Sequence, residues 1–400
     1  MADIEFAFWP RRVEGEQAIT GLIQKYQDQN KGVHVRAYSL DSVDPWKDVS
    51  RVMIQKSGTD VTEVGASWID SLVATNSLRP FSQREFESMG GASAFVIPAG
   101  IIETVGNKGV VYSIPYRADA RLVFYRRDLL ARAGVDEATA FTTAQNVLQT
   151  LELLKRSGVD CPLVAPVTTG HLLNLSYVAS WVWSAGGDFI NSAGSRVIFD
   201  QPAAISGMAD YFKAMAYIPP EYQHLGPAEC EQQFQEGKAA VALSGPWLYY
   251  RLQEMPEYAQ VKGNLGVALP PLQACCGGTH LVIWRHTMHD EAAVDFVRFL
   301  TSVEVQAGLS EVLFHLPARL EASKTTRYAV DPNYQMIVNA VHTGRSYNAS
   351  PLWNIVEDRL SHLLVQLAQT FYQTPPPDVY TFLAGNLEAL ARRINITLQG

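Results

Sequence analysis

Charged residues and cysteines are scarce in this 400-residue chain, and long apolar runs are missing. Only 18% of the residues are charged, the formal net charge is −8, and the basic residues are scattered. Such a pattern gives no basic surface of the kind that binds nucleic acid or anionic lipid. No apolar stretch approaches the ~20 residues that a membrane-spanning helix requires. We therefore expect neither a nucleic-acid partner nor a transmembrane segment.

The four cysteines lack the spacing of a metal or redox site. Cys161 and Cys230 stand alone, whereas Cys275 and Cys276 are adjacent, and no CxxC pair occurs. Adjacent cysteines bridge to each other only with strain. A disulfide between one of them and Cys230 is left open by the sequence.

Common catalytic motifs are also missing. The chain has no GxxxxGK phosphate loop, no GxGxxG after its first strand, no HExxH and no GxSxG. The segment HTMHDE (286–291) brings two histidines and two acids together, but it precedes an amphipathic helix for which Asp290 is a suitable N-cap. We expect no metal, no cofactor and no enzymatic activity.

What the chain does contain is a large apolar fraction, 47%, and a regular alternation of strands and helices. Since 400 residues exceed the size of a single core, two lobes are expected. The alternation of Ile4, Phe6 and Phe8 predicts a strand, an amphipathic helix follows to about 32, and 33–40 alternates again. This rhythm predicts an α/β fold whose sheets are covered on both faces.

Later segments continue with more helix. The stretch 141–158 is amphipathic and stops at Gly158, and a long helix from 351 is broken by the prolines at 375–377. A terminal helix is predicted over about 378–398. Because a strand begins directly after Met1, the sequence suggests either a cytoplasmic protein or a mature form from which a leader was removed.

The segment FQEGKAAVALSGPW (234–247) predicts a short buried strand that ends in a Gly-Pro turn, directly followed by Trp247. Ligands of open α/β sheets gather at the carboxyl ends of strands. Trp247 is therefore a candidate stacking surface, although a large aromatic at this place is also consistent with simple core packing.

Four segments in order resemble the extracellular solute-binding proteins of ABC importers, in particular the carbohydrate-binding group that includes maltose-binding protein. They are 56–81, 112–135, 234–247 with its Phe-x-x-Gly-Lys-Ala-Ala and Gly-Pro-Trp, and 292–310 with its Ala-Ala-x-x-Phe-x-x-Phe-Leu. The resemblance implies a type II periplasmic-binding-protein-like α/β fold, with a ligand cleft between two lobes that close on a hinge. The lobes would comprise 1–116 plus 270–320 and 117–269 plus 321–400.

A sugar needs flat aromatic surfaces together with carboxylates, amides and guanidinium groups at their edges. Matching the family's motifs, Trp68 and Asp70 correspond to its aromatic and acid pair, Asp119 to its hinge acid, and Trp247 and Trp353 to its stacking aromatics. Further candidates lie close to aromatics or at strand and helix ends. The full set of expected ligand-binding residues is Trp9, Arg11, Asp41, Trp68, Asp70, Arg117, Asp119, Arg121, Asn174, Tyr177, Trp181, Trp247, Gly278, His280 and Trp353.

Several alternatives stay open at this point. Arg121 stands where relatives have a small residue, so it could contact a hydroxyl, bind a carboxylate or phosphate, or form a salt bridge with Asp119. His280 could be a hydroxyl partner or a structural histidine. Asp70 and Asp119 could be the carboxylate pair of a glycoside hydrolase.

The hypothesis from the sequence is a binding protein that captures a carbohydrate, from mono- to oligosaccharide, and delivers it to a membrane permease. We expect a monomer in the periplasm or outside the cell, with a lipid anchor as an open option. The ligand could also be acidic or phosphorylated, and a partner-binding role without a small ligand is disfavoured because aromatics cluster at strand ends.

Overall fold

A computed structural model describes residues 2–10, 13–41, 44–98, 109–167, 171–348, 350–351 and 353–399. The chain divides into two compact units, Met1–Asp119 with Gly277–Asp331, and Ala120–Cys276 with Pro332–Gly400. The chain passes from one unit to the other after residues 119, 276 and 331, where the sequence suggested 116, 269 and 320.

Ten strands are present in the described residues. In chain order they are β1 Ala2–Phe8, β2 Val33–Ser39, β3 Val61–Gly65, β4 Ser113–Ala120, β5 Leu122–Arg126, β6 Leu163–Val164, β7 Val241–Ser244, β8 Leu265–Ala268, β9 Cys276–Ile283 and β10 Leu316–Pro317.

The α-helices of the same residues cover much more of the chain. They are α1 Val13–Gln29, α2 Pro45–Gln55, α3 Ile69–Ala74, α4 Gln83–Ser88, α5 Arg127–Arg132, α6 Ala144–Arg156, α7 His171–Ser184, α8 Pro202–Met215, α9 Pro227–Gln235, α10 Pro246–Glu254, α11 Ala259–Gly263, α12 Asp290–Leu300, α13 Val303–Leu313, α14 Leu320–Thr325, α15 Pro332–His342, α16 Trp353–Gln373 and α17 Val379–Gln399.

The first unit is built on a mixed sheet with the strand order β10-β4-β9-β3-β1-β2. Strand β1 runs parallel to both β2 and β3, while β9 is antiparallel to β3. The side chains of Ile4 and Phe6 are fully buried, and Phe6 meets Phe296 of α12 edge to face at 5.3 Å between ring centroids. The alternation seen in the sequence thus places the apolar face of β1 against a covering helix.

The second unit has a four-stranded sheet with the order β6-β7-β5-β8. Strand β6 is parallel to β7, and β5 is antiparallel to its neighbours β7 and β8. Its core is rich in aromatics contributed by helices, such as the edge-to-face pairs of Phe212 with Phe371 at 5.6 Å and of Trp181 with Tyr211 at 5.9 Å. The predicted α/β class, with its alternating strands and helices, is confirmed.

Helix ends follow local chemistry. Thr143 caps α6 by accepting a hydrogen bond from the Asn146 N–H at 3.1 Å, and Gly158 ends the segment with a positive φ of 83°. At α12 the expected cap is corrected: His289 occupies the N-cap position, and Asp290 is the first residue of the helix. The Asp290 carboxylate instead accepts from Arg79 Nε at 2.9 Å.

All four cysteines are free and buried, so the disulfide that the sequence left open does not form in this structure. Within the described residues, no helix combines the length and the apolar character needed to cross a membrane.

Candidate functional site

The first unit carries a cluster that consists of Trp9, Glu63, Trp68, Arg117 and Thr279, called the Glu63 cluster below. Trp9 directly follows β1, and Trp68 lies just after the end of β3. Since β1 and β3 are parallel neighbours, their carboxyl ends lie at the same edge of the sheet. Ligands of α/β proteins characteristically bind at this edge.

Glu63 lies at the centre of the cluster and is fully buried. Its Oε1 accepts from Thr279 Oγ1 at 2.6 Å, and its Oε2 accepts from the backbone N–H of Trp9 at 2.9 Å. Arg117 Nη2 is 3.2 Å from the same Oε2, and the guanidinium carbon is 5.3 Å from the centroid of the Tyr116 ring. These contacts tie three strands of the sheet together around one carboxylate.

The indoles of Trp9 and Trp68 are stacked, with 5.9 Å between centroids and 26° between planes. Trp46 packs against Trp68 edge to face at 5.3 Å. Trp68 is buried, whereas Trp9 is partly exposed. Of these rings, the accessible part of Trp9 is therefore better placed than buried Trp68 to stack on the C–H face of a sugar.

The second unit carries a cluster that consists of Arg121, Tyr177, Glu231, Trp247 and Arg251, called the Glu231 cluster below. Glu231 lies on α9 and is 4% exposed. Its Oε1 accepts from Ser244 Oγ at 2.7 Å and from the indole N–H of Trp247, while its Oε2 accepts from Arg251 Nη1 at 2.6 Å. One carboxylate thus fixes the end of β7 and the first two turns of α10.

Arg121 lies against the aromatic part of this cluster. Its guanidinium carbon is 5.1 Å from the Trp247 ring centroid and 5.2 Å from that of Tyr177, and its Nε donates to Ser176 Oγ at 3.0 Å. Both ring distances suit cation–π contacts. Trp247 is partly buried at the start of α10, as the Gly-Pro turn predicted, and it adjoins a cation that the sequence alone did not place beside it.

Three further predicted carboxylates belong to the first unit. Asp41 is exposed after β2 and accepts from the Asp44 N–H at 3.0 Å. Asp70 lies in the first turn of α3, and Asp119 is a partly exposed residue of β4. Their roles in binding stay predictions.

The structure does not describe two of the expected side chains, those of Arg11 and Asn174. Arg11 lies outside the described residues. Asn174 belongs to α7, but its side chain lies outside the described part.

Two predicted aromatics lie in the core of the second unit. Trp181 packs among helices, and Trp353 stacks on Tyr347 at 4.2 Å between centroids while meeting Phe189 edge to face. Both indoles are 2% exposed. These placements favour a packing role over direct stacking on a ligand.

His280 is fully buried on β9, where its Nδ1 lies 2.9 Å from Ser113 Oγ. Burial lowers the pKa of its imidazole from 6.5 to about 3, because a charged ring would lose its hydration. The ring is therefore neutral at physiological pH. This environment favours the structural alternative that the sequence left open for His280.

Gly278 also has a structural reason for its identity. Its φ is +126°, and a Cβ at this position would lie 1.9 Å from the carbonyl oxygen of Arg117 on β4. The sequence analysis included Gly278 among the expected ligand-binding residues, and that role stays a prediction. In the structure, Gly278 permits the close approach of the neighbouring strands β9 and β4.

The central carboxylates, Glu63 and Glu231, were missed by the sequence analysis, as was Arg251. Glu63 interrupts with its charge a largely buried strand, VTEVG, whose other residues are uncharged, and an acid in such a strand is buried only with partners. That interruption was the available signal. Glu231 was harder to identify from the sequence because it lies on a polar helix, and its contacts are visible only in the structure.

Among residues that the structure describes, no group of three or more His, Cys, Asp or Glu side chains is placed to hold an ion. The HTMHDE segment therefore forms no such group with its described neighbours.

The family of bacterial extracellular solute-binding proteins matches residues 21–336, most of the chain. The chain belongs to this family. The resemblance noted from four segments is thereby confirmed, as is the expectation of a binding protein and not an enzyme. The family's extracellular location also agrees with the general expectation.

Individual relatives are distant in sequence but cover most of the chain. A maltooligosaccharide ABC transporter solute-binding lipoprotein of Streptococcus pneumoniae serotype 4 is 22% identical over 380 residues, covering 86% of this chain and 78% of the relative. A solute-binding protein of Thermotoga lettingae TMO, solved with α-D-tagatose, aligns with a TM-score of 0.81 at 17% identity over all of both chains.

The sugar-binding protein MalE of Xanthomonas citri gives a TM-score of 0.80 at 19% identity, over 100% of this chain and 98% of that one. At these identities the structural likeness establishes the fold alone. The predicted type II periplasmic-binding-protein-like fold is confirmed by both structures.

Proposed function

We propose that this protein is the substrate-binding component of an ABC importer and that it captures a carbohydrate or a related polyol. The observation that carries the proposal is the Glu63 cluster, in which stacked indoles adjoin a buried carboxylate and guanidinium at the carboxyl ends of β1 and β3. Aromatic faces beside polar groups are what a sugar requires, because it has an apolar C–H face and a rim of hydroxyls.

The second unit would contribute a contact surface of its own through the Glu231 cluster. Trp247 is partly exposed and is held by its N–H to Glu231, so its ring is fixed before any ligand arrives. Fixing a side chain in advance reduces the entropy lost on binding. Arg121 and Tyr177, packed with Trp247, would supply polar groups near the same ring.

The named relatives agree with this chemistry. One is a maltooligosaccharide-binding lipoprotein of an ABC transporter and another was solved with α-D-tagatose. By analogy we propose a membrane permease as the partner, a monomer as the functional form, and action in the periplasm or at the outer face of the cell membrane. Asp41, Asp70 and Asp119 are proposed as hydroxyl partners.

The test is thermal unfolding of the purified protein with maltose, maltotriose, D-glucose, D-tagatose, ribitol and mannitol. A ligand that binds only the folded state raises the midpoint as its concentration exceeds Kd. We expect at least one sugar or polyol to raise the midpoint and to be recovered unchanged. A panel without any shift would contradict carbohydrate binding, and cleavage of a bound sugar would restore the glycosidase alternative with Asp70 and Asp119.

A further inference from the structure

Arg117 is a buried cation whose hydrogen-bonding capacity is only partly used. The residue is 3% exposed, and its Nη2 serves both Glu63 at 3.2 Å and the carbonyl oxygen of Trp9 at 3.4 Å. Within the described residues, Nε and Nη1 are buried without a hydrogen-bond partner. Leaving two such donors unpaired is costly, so their position suits an acceptor that the described residues do not provide.

The positive charge of Arg117 is, in contrast, already compensated. Glu63 is fully buried and ion-paired with it, so the pair has no net charge while two N–H groups stay available. Residues 117 and 119 of β4 are two positions apart and therefore share one face of the strand. The carboxylate of Asp119 adds a negative charge on that face.

We propose that the Glu63 cluster makes this protein selective for uncharged polyhydroxyl ligands and discriminates against their carboxylated or phosphorylated counterparts. Two neighbouring hydroxyl oxygens of the ligand would accept from Arg117 Nε and Nη1. The inference rests on the proposed function, and it specifies which chemical class of carbohydrate the site takes.

The physical basis is the difference between a dipole and a charge in a dry site. A hydroxyl pair accepts two N–H donors without bringing charge, and its own protons can be donated to nearby oxygens. A carboxylate or phosphate would place a second negative charge beside Glu63, where burial without its own counter-ion is costly. An arginine without such a compensating acid would favour the opposite ligand, because a guanidinium fork matches a carboxylate or phosphate.

The stacked indoles support the same choice. The Trp9 backbone contacts both Glu63 and Arg117, and the indole of the same residue stacks on Trp68. An uncharged sugar can place its C–H face on an indole and its hydroxyls against the guanidinium at the same time.

The experiment is isothermal titration of the full chain with matched pairs of compounds. The pairs are D-glucose with D-glucuronate, D-galactose with D-galacturonate, D-glucose with glucose 6-phosphate, and ribitol with D-ribonate. We expect the neutral member of a binding pair to have a Kd at least tenfold lower than its charged counterpart. A charged member that binds as tightly as or more tightly than the neutral one would overturn the selectivity while leaving a carbohydrate receptor intact.

Absence of binding by every compound of both kinds, extended to the neutral panel above, would overturn the proposed function itself. The two failures are therefore distinguishable.

A variant assigns the selectivity to the ion pair. Glu63→Gln keeps one acceptor oxygen, for either Thr279 or the Trp9 N–H, and removes the charge that compensates Arg117. We expect the ratio of neutral to charged affinity to fall at least tenfold. The matched control is Glu5→Gln, because Glu5 pairs with Arg36 at a surface where the arginine side chain is 53% exposed. Its ratio should equal that of the wild type.

A folded Glu63→Gln protein with the wild-type ratio would overturn the proposal. Should this variant fail to fold, Arg117→Lys provides the second measurement. Lysine retains the charge but replaces the forked donors by a single ammonium, so neutral ligands should bind at least tenfold more weakly. Unchanged affinity of a folded Arg117→Lys protein would equally refute the role of the two guanidinium donors.

Discussion

Replacing Glu231 tests whether a single buried carboxylate holds the Trp247 region in place. Glu231→Ala leaves the fully buried Ser244 hydroxyl and the Trp247 N–H without their acceptor, and it leaves Arg251 without its counter-ion. Breaking a buried ion pair from one side costs about 3–5 kcal/mol. Because 32% of the Arg251 side chain is exposed and can be solvated, we expect the lower end, about 3 kcal/mol of unfolding free energy.

Glu231→Gln should be milder. The amide oxygen can take the place of Oε1 and accept from Ser244 and Trp247, whereas the amide nitrogen meets Arg251 without attraction. The loss of one charge-assisted hydrogen bond corresponds to about 1–2 kcal/mol. The order of stability is therefore wild type, then Gln, then Ala.

The assay is urea unfolding followed by circular dichroism, with intrinsic tryptophan fluorescence of the ligand-free protein as a second probe of unfolding. Glu236→Gln is the matched control, since Glu236 directly follows the same helix and pairs with Lys238 at the surface, where such pairs contribute little. Its midpoint should stay at the wild-type value. A Glu231→Ala protein with the same urea midpoint as this control would refute the reasoning.

Three further outcomes are expected. Trp247→Ala should weaken binding of the identified sugar by about 1–3 kcal/mol in titration calorimetry. Trp247→Phe keeps an aromatic ring but not the N–H, so it should lose less binding free energy. An equal loss in both variants would mean that stacking is unimportant. Gly278→Ala should greatly lower the thermal midpoint, because the new Cβ would lie 1.9 Å from a backbone carbonyl oxygen. Gly277→Ala should leave the midpoint unchanged, because the atom nearest to its new Cβ is 3.9 Å away. Similar midpoints for the two variants would contradict the close approach of the strands at Gly278. His280 has a folded pKa of about 3, below its unfolded value of 6.5, so its stabilising contribution is complete above pH 6.5 and is lost as pH falls toward 3. Relative to His280→Asn, wild-type unfolding free energy should therefore drop by about 2 kcal/mol between pH 7 and pH 5, and parallel pH profiles of the two proteins would disprove it.

The elements of this fold were predictable where the local pattern is decisive. The helix that ends before Gly158 and the strand that precedes Trp247 follow directly from apolar spacing and from Gly and Pro at their ends. The resemblance of four segments then gave the fold class. Local periodicity suffices here because each element buries one face irrespective of its exact partner.

The chemistry of the two clusters was less accessible. Glu63 binds groups that are 54 and 216 residues away in sequence, and nothing near position 63 identifies them. Trp353 shows the opposite problem, since an aromatic that matches a family position can still be packed in a core, here against Tyr347. Residue type and spacing indicate which side chains are able to bind, but the choice between binding and packing depends on non-local contacts.

The positions of the four cysteines allow the opening of the second unit to be measured separately from that of the first. All four thiols belong to the second unit, and all are buried. Burial raises the pKa of both Cys161 and Cys230 to about 12, so the reactive thiolate is scarce in the native state. Alkylation with iodoacetamide should then proceed only as fast as the second unit opens. The alkylation rate would therefore measure the opening of the second unit, whereas the first unit contains no cysteine and would not react.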